Sequence, residues 1–212
     1  MDLTPLHGKF IVLDGTEGCG KSTQAQLLRA ALEQAGLPVL AVRDPGSTRI
    51  GEQIRGVLLD PLHTEMSMRC EMLLYMAARA QMMAELIQPA LDAGKVVICD
   101  RFVSSTLAYQ LGGDGLTATE IRAIADVAIR GQWPDLTILL DMPPQKSLAR
   151  VQRVKDRIEQ RPMSYHEQVR KNYLAQVDAD PKRYRLIAAD RDKEQVHADV
   201  LKAVRELADD LP

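Results

Sequence analysis

Lys9-Phe10-Ile11-Val12-Leu13-Asp14 runs straight into Gly15-Thr16-Glu17-Gly18-Cys19-Gly20-Lys21-Ser22. The first six residues read as a buried parallel strand, because an apolar run without alternation suits a strand covered on both faces. The next eight fit the spacing Gly-x-x-x-x-Gly-Lys-Ser/Thr. Such a loop curls so that several backbone N–H groups point inward at phosphate oxygens. The helix that follows turns the positive end of its dipole to the same place. In that geometry Lys21 reaches the β- and γ-phosphates of ATP and Ser22 offers a hydroxyl to Mg²⁺. Gly15, Thr16, Glu17, Gly18, Cys19, Gly20 and Thr23 complete the cradle. A chance match to the spacing arises in on the order of one in a hundred chains of this length. The competing reading is a glycine turn before a helix, with Lys21 merely solvated.

Outward from the loop, Lys21–Ala35 carries Ala25, Leu28, Leu32 and Ala35 at helical spacing and is stopped by Gly36. Pro38–Arg43 reads as a second strand, and Asp-Pro-Gly-Ser-Thr at 44–48 as a loop. Ile50–Leu59 and Ser67–Ala93 read as helices, the long one kinked before Pro89. Further strands are expected at Lys95–Asp100, Asp135–Asp141 and Tyr184–Ala189, and further helices at Thr117–Arg130, Ser164–Asp178 and Asp192–Leu207. Strands alternating with helices predict a five-stranded parallel sheet in a three-layer α/β/α fold of the P-loop type. No repeat or Pro/Ser-rich linker divides the chain, so 1–212 reads as one domain.

Composition agrees. In 212 residues, 27 Lys+Arg against 29 Asp+Glu leave a net charge of −2, which argues against a polybasic binder of nucleic-acid polymers. Three scattered cysteines (Cys19, Cys70, Cys99) and four unpaired histidines predict neither a disulfide framework nor a zinc site. The first ten residues lack the pattern of a signal peptide, and no apolar run approaches the ~18 residues of a membrane span. A cytoplasmic protein is expected.

A phosphate loop needs an acid on a neighbouring strand to hold Mg²⁺ through water. Asp100 ends the third strand and Arg101 follows it, at the sheet edge where ligands bind. The segment Val97-Ile98-Cys99-Asp100-Arg101-Phe102-Val103-Ser104-Ser105-Thr106-Leu107-Ala108-Tyr109-Gln110 resembles the signature of thymidylate kinases. Arg43-Asp44-Pro45-Gly46 resembles that family's Arg-Glu-Pro-Gly loop, with aspartate for the usual glutamate. Ala77-Ala78-Arg79 resembles its Ala-Ala-Arg helix segment, and Asp156-Arg157-Ile158-Glu159 its lid motif.

The resemblance implies γ-phosphoryl transfer from ATP to dTMP in dTTP biosynthesis, de novo and by salvage, in a homodimer. Arg101 then binds the dTMP phosphate, a task suited to a planar cation between two anions. Arg79 meets the thymine O4, Tyr75 stacks on the ring, and Ser105, Thr106 and Gln110 lie along the pyrimidine and phosphate. Tyr109 packs near C2′ and disfavours a ribose hydroxyl. Glu17 approaches the 3′-hydroxyl, Asp44 and Pro45 border the same region, and Arg55 sits near the nucleotide. Asp14 orients the loop. The methyl group gives only ~1–3 kcal/mol against uracil, whereas polar contacts reject cytosine more strongly.

One branch of the family places an arginine in the phosphate loop; Thr16-Glu17-Gly18 has none. A helical lid over about 143–163 is therefore expected to supply the basic residue, from Arg153 first and Arg150 next, with Arg157 pairing to Glu159 or another acid. Met68, Met72 and Met76 form an i, i+4 stripe that reads as core packing or a dimer face. Alternatives are a kinase for deoxynucleosides, or a GTP switch or motor, though no guanine-reading Asn-Lys-x-Asp occurs.

Overall fold

The computed structural model describes residues 3–152 and 154–210. Its strands are β1 (Phe10–Gly15), β2 (Val39–Arg43), β3 (Val96–Asp100), β4 (Leu136–Asp141) and β5 (Tyr184–Ala188). Its α-helices are α1 (Lys21–Gln34), α2 (Arg49–Leu59), α3 (Met68–Met82), α4 (Gln88–Asp92), α5 (Val103–Tyr109), α6 (Ala118–Ile129), α7 (Pro144–Ala149), α8 (Met163–Ala179) and α9 (Lys193–Asp209). All strand pairings are parallel, in the order β2-β3-β1-β4-β5.

Alternation along the strands sorts side chains into two layers of core. Ile11, Leu13, Val96, Ile98, Leu136 and Ile138 face Leu28 and Leu32 of α1 and Val196, Val200 and Val204 of α9. Phe10, Val12, Val97 and Cys99 face Met72 and Met76 of α3, Leu107 of α5, and Ile121 and Ala125 of α6. Both faces of the central strands are therefore covered, which is why β1 is apolar at consecutive positions. Each such side chain, fully buried, contributes roughly 1.5–3 kcal/mol. The methionine stripe is core: Met72 and Met76 are buried and Met68 packs partly against them.

Two expectations change. Ser67–Ala93 is helical nearly throughout, but Met83–Ile87 is a π-type turn in which Gln88 N–H bonds to Met83 O, five residues back. Pro89 has no N–H, and its ring would collide with the carbonyl four residues earlier in a regular helix. The wider turn takes up that mismatch without breaking the rod. The lid expected to be helical over 143–163 is helical only in α7 and at the first residue of α8. Val151–Arg161 contains no helix among the described residues. It has no apolar period, and Asp156 Oδ1 accepts from the backbone N–H of Ile158 and Glu159, closing a local turn that competes with helix.

The connection from β1 runs toward β2 and the connection from β3 runs toward β4, so the chain reverses direction between two adjacent strands. That reversal opens a crevice at the carboxyl ends of β1 and β3, where ligands bind in such sheets. Leu13 pairs with Asp100 and Arg43 with Asp100 across the sheet, so the phosphate loop, the 44–48 loop and Arg101 all leave from one edge.

Candidate active site

The phosphate loop links β1 to α1. Gly15 (φ 139°) sits so close to β4 that a Cβ there would lie 2.4 Å from Leu140 O. Gly18 (φ 72°) likewise approaches α7, where a Cβ would lie 2.1 Å from Ser147 O. Only glycine fits either place. Thr16 Oγ1 donates to Ser147 Oγ at 3.3 Å, tying the loop to α7. No side chain caps α1, so its first-turn N–H groups are open to an anion. Lys21 is buried and donates from Nζ to Thr16 O (2.6 Å) and Gly15 O (3.1 Å), folded back into the ring it would share with a phosphate. Ser22 Oγ donates to Asp100 Oδ2 at 2.6 Å. Cys19 is buried, and burial pushes its thiol up, so it fills the turn rather than reacting. Thr23 is exposed on the first turn of α1.

Asp14 is the hub beneath the loop. It is fully buried, and Oδ1 accepts from Gly15 N–H (2.8 Å), Ser105 Oγ (2.8 Å) and Tyr173 OH (2.6 Å), while Oδ2 accepts from Ser104 Oγ (2.5 Å). It orients the loop, as expected. Arg101 takes the left-handed backbone region at φ 73°, which is unusual for a residue with a long side chain. Its Nη1 donates to Gly15 O (2.9 Å) and Ser105 Oγ (3.0 Å), and Nη2 to Glu17 (2.9 Å). Tyr109 OH reaches both Glu17 oxygens, at 2.8 and 2.7 Å. Burial opposes the charge on Glu17, but the cations of Arg101 and Lys21 outweigh it and hold the carboxyl below its ordinary range.

Two cavities open from this point. One, with about 590 Å³ of empty space, is lined by all ten expected acceptor residues: Asp44, Pro45, Arg55, Tyr75, Arg79, Arg101, Ser105, Thr106, Tyr109 and Gln110. The other, about 980 Å³, is lined by Gly18, Lys21, Ser22, Asp100 and Arg150 among others. Glu17, Asp44, Arg55, Arg101 and Glu159 border both cavities, so these five form the wall between them. Arg150 lies at the end of α7 over the larger cavity; Arg153 falls outside the described residues.

Arg79 is no surface arginine. It is 1% exposed, with Nε on Asp44 Oδ2 at 2.6 Å and Nη2 on Phe102 O and Thr106 Oγ1 at 3.1 and 3.2 Å. Burial pushes the Asp44 carboxyl up, against the pull of Arg79. Asp44 Oδ1 is buried without a hydrogen-bond partner on the wall between the cavities. Arg55 donates to Pro45 O at 3.1 Å. Burial also pushes the Tyr75 hydroxyl up, which keeps it neutral. Arg157 pairs with Glu71 (2.6 Å) rather than Glu159, and also bonds Leu58 O.

Two contributors carry weaker sequence signals. Tyr173, on α8, bonds Asp14 and Arg101 from 159 and 72 residues away, and nothing local to it announces that role. Glu71 bonds Gln110, Arg157 and Arg161. Its spacing of four before Tyr75 and eight before Arg79 places it on the same stripe of α3, and that is the one signal its sequence context offers.

A protein that only hydrolysed a nucleotide would have no use for the second cavity. Fold and site together define a P-loop kinase, a phosphotransferase with a pocket for its acceptor. Residues 13–200 match the family model for thymidylate kinase. The chain is 46% identical over 207 residues to a thymidylate kinase of Pelotomaculum thermopropionicum, covering 96% of each. It is 43% identical over 209 residues to one of Desulforudis audaxviator, covering 98% of this chain and 95% of that one. The crystal structure of thymidylate kinase from Ehrlichia chaffeensis superimposes with a TM-score of 0.78 at 30% identity, covering 94% and 99% of the two chains. The chain belongs to the thymidylate kinase family.

Proposed function

We propose that this enzyme moves the γ-phosphoryl of ATP onto the phosphate of dTMP, giving dTDP and ADP. The observation that carries the reading is the shared wall: Arg101 and Glu17 border both cavities, so a phosphoryl group passing between them crosses at these side chains. Transfer of this kind leaves little covalent work for a protein; the rate comes from alignment and from charge stabilisation.

Lys21 and the open N–H groups of the loop grip the donor's β- and γ-phosphates, exchanging their present carbonyl acceptors for phosphate oxygens. Arg101 grips the acceptor phosphate and offsets the repulsion between two anions brought end to end. Tyr75, Arg79, Thr106 and Gln110 hold the base. Tyr109, tied to Glu17, closes the sugar face. From the lid, Arg150 or Arg153 adds positive charge at the γ-phosphate.

Among the described residues no group of three or more His, Cys, Asp or Glu would hold a metal ion by itself. Ser22 Oγ and Asp100 Oδ2, 2.6 Å apart, nonetheless fit Mg²⁺, which keeps waters and takes few protein oxygens beside phosphate. Bound with ATP, the ion spreads the charge of the β- and γ-phosphates. Among the described residues no helix is long and apolar enough to cross a membrane. We place the reaction in the cytoplasm, in a chain folded as one domain and paired as a homodimer, by analogy with the family.

ADP release coupled to an indicator enzyme, with ATP-Mg and a panel of acceptors, tests the proposal. Turnover requires dTMP. Equal release without acceptor refutes the assignment, and faster release with thymidine than with dTMP turns it toward a nucleoside kinase.

A further inference from the structure

We propose that Glu71, which lies behind the acceptor cavity, sets which pyrimidine the enzyme accepts by fixing the orientation of the Gln110 amide. The inference rests on the reading that dTMP fills that cavity. Glu71 is fully buried and Gln110 is 1% exposed. Gln110 Nε2 donates to Glu71 Oε1 at 2.7 Å. The other carboxylate oxygen, Oε2, accepts from Arg157 Nη2 at 2.6 Å and Arg161 Nη2 at 2.7 Å. A carboxylate flanked by two guanidiniums accepts and has nothing to donate.

The two ends of a glutamine amide differ only in which group donates, and the surrounding network decides how it lies. Glu71 holds one N–H of Nε2 and so draws the nitrogen end of the amide away toward α3; in this proposal the end that Gln110 turns to the cavity it lines is the carbonyl, an acceptor. Arg79 lies on the same cavity and has donors only. Its Nε is taken by Asp44 and its Nη2 by Phe102 O and Thr106. Its Nη1 meets only the weak acceptor Met76 Sδ. The cavity therefore shows a donor beside an acceptor. Thymine and uracil present the complement, a carbonyl at C4 and an N–H at N3. Cytosine presents the reverse, an amino group at C4 and a bare N3. Glu71 touches neither substrate nor the reacting atoms, so it is a positioning residue.

Glu71→Gln is the test, because it is nearly isosteric and reverses the logic. The two arginines still demand an acceptor, so the new amide turns its oxygen to them and its N–H₂ to Gln110. Gln110 must then rotate, and the cavity faces a donor. In acceptor-panel kinetics the preference in kcat/KM for dTMP over dCMP is expected to fall about tenfold or more. The preference for dTMP over dUMP, which share the N3–H, stays where it was. Glu71→Asp, still acceptor-only, keeps the parent's preferences.

A folded Glu71→Gln protein, checked by circular dichroism, that retains the parent's dTMP:dCMP ratio overturns the proposal. So does one that loses dTMP, dUMP and dCMP turnover in equal proportion, the mark of mere loosening. If that variant does not fold, Gln110→Leu decides: the dTMP:dCMP preference collapses with the carbonyl removed, and its survival overturns the proposal. Failure of the parent enzyme to use dTMP at all would instead refute the functional assignment.

Discussion

Removing the Asp44 carboxylate strands a buried cation. Asp44 and Arg79 are 3% and 1% exposed, and their ion pair spans 2.6 Å. Breaking a buried pair from one side costs ~3–5 kcal/mol, mostly from the charge left without its partner. Arg79 keeps Phe102 O and Thr106 Oγ1 as acceptors, and its guanidinium lies 5.2 Å from the Phe102 ring. These contacts place Asp44→Ala near the lower figure, ~3 kcal/mol. A chain of this size loses about 2–4 °C of Tm per kcal/mol, so the melt should fall by roughly 6–12 °C.

The same change frees the guanidinium that we propose meets the base. KM for dTMP is expected to rise about tenfold or more, since a misplaced contact disrupts alignment, while KM for ATP moves little. The double variant Asp44→Ala/Arg79→Met removes both charges and should melt above Asp44→Ala alone, because an apolar replacement of a buried pair is often neutral or better. Calorimetry of the four proteins in the cycle, with acceptor kinetics, reads all of this. A single variant within ~2 °C of the parent, or a double variant that melts below it, refutes the view that this pair is a desolvated charge couple.

Arg101→Lys keeps the charge but loses the planar fork that spans Glu17, Gly15 O and Ser105; kcat/KM for dTMP should drop about 10²-fold or more in steady-state assays, and a loss under about threefold would remove Arg101 from the phosphate. Of Arg150→Ala and Arg153→Ala, at least one should lower turnover at saturating ATP and dTMP by about 10²-fold; full turnover in both sinks the lid-arginine reading. His197, whose Nδ1 lies 3.2 Å from Gln24 Oε1, has its pKa lowered from 6.5 by burial. A depressed histidine contributes stability above its unfolded pKa that is lost as pH falls through its folded pKa. Melts from pH 7.5 to 5 should therefore decline less for His197→Gln than for the parent, and parallel curves would contradict the shift.

Where a residue's task follows from its neighbours in the chain or from strand register, it is legible in the amino-acid sequence alone. Gly15 to Ser22 follow one another, and Asp100 meets Ser22 because β1 and β3 pair side by side. The Tyr75–Arg79 and Thr106–Gln110 pairs follow helical spacing, and both pairs line one cavity together with the other expected acceptor residues. Legibility stops where partners arrive from elements whose placement has no local code. Tyr173 is one of two tyrosines on a long polar helix, and only the docking of α8 beside α5 brings its hydroxyl to Asp14. Arg157 and Arg161 lie in a charged stretch without a period, indistinguishable in sequence from a solvated surface. Their burial against Glu71 depends on the lid folding back over α3. That dependence is why Glu71 carries so faint a mark in the sequence. A glutamate on a helix is ordinarily an exposed charge, and it becomes a specificity element only once two distant arginines occupy one of its oxygens and leave the other to direct Gln110.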